Sequence, residues 1–319
     1  MNNPLVTICI TTYNRAQLLT AAVRSVQDQT YKNLEIIIIN DHSTDQTPQV
    51  IKKLQKNDSR VRVFTHRTNQ GLAKSRNQAI RAAHGKYFSF LDDDDLWDKD
   101  LIDNFVQLAE KHNSQWCFCA GNKITVFNQQ YCVIPTFNGC LKKYLKLGYT
   151  PPVSAQFYFT QTLKQLGGYH DQIKSGVDHD LWIKLAINNT KIKSLPYCSA
   201  YSNPNNKTIN RMTTQYQQRV QKIKKSLKVW QPLLTKHFGK KFYQHFLQSY
   251  FYIIERDFLV RQLQKHQWKK VWQHFQRNPQ KKLLMKYLIK GLIKITKQRF
   301  IKNKKKLIRV NLQPNFPAF

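Results

Sequence analysis

Four short apolar runs in the first ninety residues, separated by segments of helical period, constrain this chain more than any other feature. Leu5–Thr12 (LVTICITT) and Glu35–Ile39 (EIIII) are continuous and rich in β-branched residues. A strand reads that way when both of its faces are covered. Arg60–Thr65 and Lys86–Leu91 are predicted as the third and fourth strands. Between them, residues 15–29 carry Leu18, Leu19, Ala22, Val23 and Val26 at helical spacing, and Asp45–Asn57 and Gly71–Ala83 read as two further helices. Strand–helix alternation with short connections implies right-handed βαβ units and a mostly parallel sheet. In open sheets of this kind a ligand sits outside the carboxyl ends of the strands, so the polar clusters after each strand are where chemistry is expected.

Straight after the fourth strand stand Asp92, Asp93, Asp94 and Asp95. Four adjacent carboxylates repel one another, and an oxygen-only set suits Mg²⁺ or Mn²⁺ with positions left for a substrate's phosphates. A solvated acidic loop at a helix amino end is the plainer alternative. After the second strand comes Asn40-Asp41-His42-Ser43-Thr44-Asp45. There Ser43 or Asp45 suits a helix cap, and Asp41 can accept N–H groups from a ligand base. Thr11-Thr12-Tyr13-Asn14-Arg15, after the first strand, offers a ring to stack and a cation. Asp178-His179-Asp180-Leu181-Trp182 opens a helical run. Capping explains one of its acids, and a general base beside a sugar-stacking tryptophan fits equally well.

In order and spacing, VTICITTYNR, EIIIINDHSTDQT, NQGLAKSRNQAIRAAHGKYFSFLDDDD and LGGYHDQIKSGVDHDLW resemble the inverting family 2 glycosyltransferases. The resemblance covers residues 4–190 and implies an α/β, Rossmann-like GT-A fold with a mostly parallel central sheet. It implies that Thr11, Tyr13 and Asp41 contact the nucleobase of a UDP-sugar, with Arg15 beside them. Asp93 corresponds to the ribose-contacting acid, Asp94 to the metal ligand, and Asp92 completes the DxD pattern. Asp178 corresponds to the general base, with Asp180 as a substitute. Lys74 or Arg76 would help to hold phosphate or would lie on an exposed helix face. The chain departs from the pattern at Val177, where the family has Glu, at His179, where it has Tyr, and at Ser202-Asn203-Pro204, where it often has Arg and His. The motif of processive synthases is missing, which favours addition of one sugar or very few.

Charge separates the two ends. Residues 1–200 carry 24 basic and 16 acidic side chains, whereas 201–319 carry 28 and 2. Such a field favours a polyanionic surface. We therefore expect a catalytic domain over 1–205, with a boundary in the Asn/Pro-rich stretch 202–206, and a basic α-helical C-terminal region over 206–319. Within Lys281–Lys297, lysines 282, 286, 290 and 294 form one stripe beside a wide apolar face, as in a helix lying in a membrane interface or packed on the catalytic domain. A lipid-linked or cell-surface glycan acceptor would make docking on an anionic inner leaflet useful. A nucleic-acid-binding protein would also be basic, but its phosphates would meet the acidic motifs unfavourably. A catalytically inactive scaffold has only Val177 in its favour. The six cysteines show no zinc spacing, and together with the lack of a signal peptide or a spanning run they are expected to be free thiols of a cytoplasmic protein.

Overall fold

In the computed structural model the described residues are 3–126, 129–202, 216–264, 273 and 308–312. The amino-terminal half alternates as expected: β1 (Val6–Thr12), α1 (Ala16–Gln27), β2 (Leu34–Asn40), α2 (Thr47–Asn57), β3 (Val61–Thr65), α3 (Leu72–Ala82) and β4 (Tyr87–Asp92). These strands lie in the order β4-β1-β2-β3, all parallel, with β1 in the middle. The continuous apolar runs follow from that placement. Ile8, Ile10, Ile36 and Ile38 pack with Leu19 and Val23 of α1 on one face, while Cys9, Ile37 and Ile39 pack with Ala79 and Ile80 of α3 on the other. Burying a Leu, Ile or Val side chain is worth about 1.5–3 kcal/mol, so this two-faced core dominates the stability of the sheet.

Beyond β4 the chain adds β5 (Asp95–Trp97), α4 (Leu101–Ala109), β6 (Trp116–Val126), β7 (Gln129–Pro135), β8 (Asn138–Cys140), α5 (Leu141–Leu145), β9 (Gln156–Phe159) and α6 (Thr160–Gln165). Next come α7 (Val177–Ile187), β10 (Lys191–Ser202), α8 (Tyr216–Phe238), α9 (Lys240–Gln264) and β11 (Ile308–Leu312). The sheet continues from β4 through β9 and β6 to β7 by antiparallel pairs, and β11 closes that edge parallel to β7. Helices α8 and α9 are packed on the sheet domain. Ile223, Trp230, Phe246 and Tyr250 share one core with Leu181 and Trp182 of α7. None of the described helices is long and apolar enough to cross a membrane. The stripe at Lys281–Lys297 and the boundary near 205 lie outside the described residues.

The cysteines differ from expectation at one pair. Cys132 of β7 and Cys198 of β10 form a disulfide, with Cα atoms 5.9 Å apart, while Cys9, Cys117, Cys119 and Cys140 are free. Both strands pair with β6 and converge over Gly121, where an added Cβ would lie 2.9 Å from the Cys198 sulfur. The convergence comes from a bulged register between β6 and β10, which no spacing along the chain announces.

At the opposite end of the sheet from the strands' carboxyl ends, Glu35 of β2 is a buried junction. Its carboxylate accepts from the Thr7 hydroxyl, from the His84 and Gly85 N–H groups, and from Arg62 at 2.7 Å. These donors hold its pKa below the ordinary glutamate value against the opposing effect of burial. A group with a depressed folded pKa contributes stability at neutral pH and loses it as pH falls through that value. Glu35→Gln is therefore expected to cost about 2 kcal/mol at pH 7, by loss of charge-assisted hydrogen bonds. In denaturant titrations the gap from wild type should close as the pH drops below the ordinary carboxylate range. A gap that stays constant with pH would show that Glu35 is not ionised in the fold.

Candidate functional site

The carboxyl ends of β1, β2 and β4 lie side by side, because Thr11 is in register with both Ile39 and Asp92. The loops that follow are therefore neighbours, and hydrogen bonds lace them together. The Asn14 N–H donates to the Ser43 hydroxyl at 2.9 Å, and the Asn14 side-chain oxygen accepts the Thr44 N–H at 2.7 Å. Asn14 adopts φ 53°, in the left-handed region that asparagine tolerates. Asp45 accepts the Thr47 N–H at 2.9 Å in the turn before α2, whose cap position is Gln46 rather than Ser43 or Asp45 and which has no side-chain cap bond. Thr11 is half-buried at the end of its strand, and Tyr13 presents a ring that is 47% exposed.

Asp41 is buried and already occupied. One oxygen accepts from the Gln70 N–H at 2.8 Å and faces the His66 ring nitrogen at 2.7 Å, while the other accepts from the Gly71 N–H at 2.8 Å. It thus pins the turn that leads into α3, at the sheet edge where a nucleobase contact was expected.

The four-acid run divides its work. Asp93 turns inward against Arg15, whose Nη1 lies 2.7 Å from one Asp93 oxygen and 3.6 Å from Asp94. Burial raises the Asp93 carboxyl to about 6, although Arg15 opposes the shift. Asp92, Asp94 and Asp95 form the one group of three potential ligands found among the described residues, with one carboxylate oxygen from each lying within 4.8 Å of the others. Ser154 ties the group together: its hydroxyl donates to Asp95 at 2.7 Å and accepts the Asp92 N–H at 3.0 Å. Three close carboxylates with no nitrogen or sulfur donor fit a hard divalent cation such as Mg²⁺ or Mn²⁺. Asp95 was part of the run in the sequence but not singled out. Ser154 follows a Pro-Pro pair with no signal of its own.

Arg76 joins this group to the third acidic motif. Its guanidinium is buried against the rings of Phe90 and Tyr169, at 5.3 and 5.5 Å, rather than on an exposed helix face. One end donates to Asp92 at 2.8 Å and the other to Asp178 at 2.8 Å. Two carboxylates far apart in the chain are thereby held across a single cation. Burial raises the Asp178 carboxyl above the usual range, Arg76 works against that, and the charge of Asp92 reinforces it. Lys74, one turn edge away, is exposed.

The two acids of the third motif face opposite ways. Asp178 keeps 35% of its side-chain surface open beside Arg76. Asp180 is enclosed, accepting the His170 N–H at 2.7 Å and the Trp230 indole N–H at 2.9 Å. His179 points toward the C-terminal helices, with its Nε2 facing the Gly148 carbonyl at 2.9 Å. Burial lowers its pKa to about 4, so it is neutral at pH 7. Val177 is core.

The model of "Glycosyl transferase family 2" matches residues 7–131. An uncharacterized glycosyltransferase of Rickettsia conorii is 34% identical over 194 residues, covering 60% of this chain and 31% of the relative. A Campylobacter jejuni GalNAc(5)-diNAcBac-PP-undecaprenol beta-1,3-glucosyltransferase is 36% identical over 121 residues, covering 37% of this chain and 38% of that one. The chain thus spans about a third of the length of these curated relatives. Among solved structures, Staphylococcus aureus TarS 1–349 in complex with UDP superposes with a TM-score of 0.53 at 18% identity, covering 90% of this chain and 91% of that one, which speaks to the fold. The matched segment, residues 7–131, carries β1 to β4 with the acids at their carboxyl ends, and over that segment the chain is similar to glycosyl transferase family 2, on a fold like that of its GT-A neighbours.

Proposed function

We propose that the protein transfers a sugar from a UDP-sugar to a hydroxyl of a cell-surface glycan or lipid-linked acceptor, with inversion at the anomeric carbon. The observation that carries this reading is the pair of 2.8 Å contacts from Arg76 to Asp92 and Asp178, which sets a carboxylate opposite the acidic donor cluster. In the proposed mechanism Tyr13 stacks on the uracil beside Thr11, and Asp41 shapes that pocket through the 70–71 backbone. Asp93, held by Arg15, contacts the ribose. Asp92, Asp94 and Asp95 would hold Mg²⁺ or Mn²⁺, which supplies neutralising charge to the departing diphosphate. Lys74 lies on the same helix as Arg76, where an exposed ammonium can reach phosphate.

Asp178 acts as general base. It takes the proton of the acceptor hydroxyl as that oxygen bonds to the anomeric carbon, while the bond from that carbon to the phosphate oxygen breaks and UDP departs. A single displacement of this kind inverts the centre. Arg76 lets Asp178 and Asp92 stand close together, and its charge opposes the upward shift that burial gives the Asp178 carboxyl. Asp180 has both oxygens engaged by N–H donors and serves the frame rather than the proton transfer.

The acceptor side rests on charge. Helix α8 contains no acid, and Lys222, Lys225, Lys228 and Lys236 are exposed along it. We take residues 206–319 as a region that contacts an anionic leaflet peripherally, on the cytoplasmic face. Cosedimentation with phosphatidylglycerol vesicles that is lost in high salt is the expected result, and equal retention on neutral phosphatidylcholine would count against it.

Calorimetry with UDP tests the donor site. Wild type is expected to bind only with Mn²⁺ or Mg²⁺ present, and Asp94→Ala should weaken binding at least about tenfold, the loss of roughly 1.4 kcal/mol of metal-mediated contact. Failure of the wild type to bind UDP under any of these conditions would sink the uridine assignment. The two acids of α7 should separate cleanly. Asp178→Asn retains an acceptor for Arg76 and should lower the turnover of UDP-sugar hydrolysis by about 10²–10⁴-fold with UDP affinity unchanged. Asp180→Ala strands the Trp230 and His170 donors and should cost about 2–4 kcal/mol of stability in denaturant unfolding.

A further inference from the structure

The amino end of α7 has no side-chain cap of its own. Asp178 is its second residue, and the residue that leads into the helix is Gly176, which adopts φ 71°. A first turn entered through a glycine and left uncapped has little intrinsic rigidity. Something outside the helix must hold it.

The C-terminal helices do so at four points. On α8, the Ser226 hydroxyl donates to the Ser175 carbonyl at 2.8 Å and the Trp230 indole N–H donates to Asp180 at 2.9 Å. On α9, the Tyr250 ring lies 4.4 Å from the His179 ring. At Gly176 a Cβ would fall 2.5 Å from the Tyr250 hydroxyl and 2.7 Å from the edge of the Trp230 ring, so the tail presses directly on the hinge. Residues 175, 176, 179 and 180 are all gripped from one side, while Asp178 faces the other way into the grip of Arg76. The frame then closes on itself. Asp180 also holds the His170 N–H at 2.7 Å, and the neighbouring Tyr169 exchanges two backbone bonds with the Asn77 side chain, at 2.7 and 2.8 Å. Asn77 is next to Arg76 on α3.

We infer that Trp230, Ser226 and Tyr250 are positioning residues of the transfer reaction, through which helices α8 and α9 set the reach of Asp178. The inference rests on the reading of Asp178 as the base. Ser226, Trp230 and Tyr250 are each no more than 1% exposed, and Trp230 and Ser226 spend their polar atoms on the α7 entry. All of these residues lie beyond the segment 7–131 that matches the family. Misplacement of a reacting group by about 1 Å can cost on the order of 10²-fold in rate, so a frame of this kind acts on turnover rather than on donor binding.

The test compares Trp230→Phe, which keeps the ring and deletes the N–H, and Ser226→Ala with Leu234→Ala. Leu234 is buried on the same helix but makes none of the α7 contacts described, so its loss is purely structural. Two readouts are taken in the intact chain, well below each variant's Tm. The first is amide hydrogen exchange of residues 177–181 in the resting protein, expected to accelerate about tenfold in Trp230→Phe and to stay unchanged in Leu234→Ala. The second is steady-state UDP-sugar hydrolysis, expected to show kcat about tenfold lower in Trp230→Phe, with KM and the UDP Kd within twofold. Unchanged exchange in Trp230→Phe, or an equal fall of kcat in Leu234→Ala, would overturn the inference. Failure of the donor reading shows elsewhere, as a wild type that neither binds UDP nor hydrolyses any UDP-sugar.

Discussion

The Arg76 guanidinium is the interaction on which the site depends. A buried cation costs several kcal/mol to desolvate, and its partners offset that only when the geometry is good. Here two carboxylates and two aromatic faces surround it, and each nitrogen contact is 2.8 Å. The arrangement is stable only as a whole. Without Arg76, Asp92 and Asp178 would repel one another across a site that burial already makes unfavourable for charge. Lysine could not replace it, since a single ammonium lacks the planar fork that reaches two acids while packing against the rings. One side chain therefore couples α3, the end of β4 and the start of α7, and it converts the parallel sheet's edge into a cleft with acids on both walls.

Most of the amino-terminal half was legible because its pattern has a single cause. Strands covered on both faces must be apolar throughout, and helices covered on one face must be periodic, so the run from Val6 to Asp92 could be segmented to within a few residues. The acidic clusters were legible for a similar reason: adjacent carboxylates are costly unless a cation or a donor set compensates them. Partnership was not legible. Arg76 read equally well as a phosphate ligand or as a solvated residue, and only the fold brings Phe90 and Tyr169 against it. Asp178 and Asp180 differ by two positions, and helical geometry turns them to opposite sides, one to the cleft and one to Trp230.

The helical character of the C-terminal region was legible, but its packing on the catalytic half was not, because its inner and outer faces carry different messages. Composition is dominated by the exposed lysines, which suggest a surface element. The buried Ile223, Trp230, Phe246 and Tyr250 are outnumbered, yet they join the same core as α7. The disulfide escaped for a related reason. Cys132 and Cys198 are 66 residues apart on strands that never pair with each other in the ladder, and they meet only because β6 has a glycine beneath them. In both cases the decisive contact is made across a third element.

Charge segregation gives the architecture its direction. The formal net charge is +34, yet Asp92, Asp93, Asp94, Asp95 and Asp178 converge on one edge of the sheet. A cationic body draws a nucleoside diphosphate sugar and an anionic leaflet alike. In the proposed reaction the acidic cluster by itself would repel the diphosphate, and Arg15 and Arg76 within the chain, with a divalent cation at Asp92, Asp94 and Asp95, would offset that charge. On that proposal donor and metal would bind together, and the exposed lysines of α8 would be left for whatever presents the acceptor. A helix whose inner face contacts the entry of α7 and whose outer face carries lysines and no acid would then join the two ends of the proposed reaction in a single element.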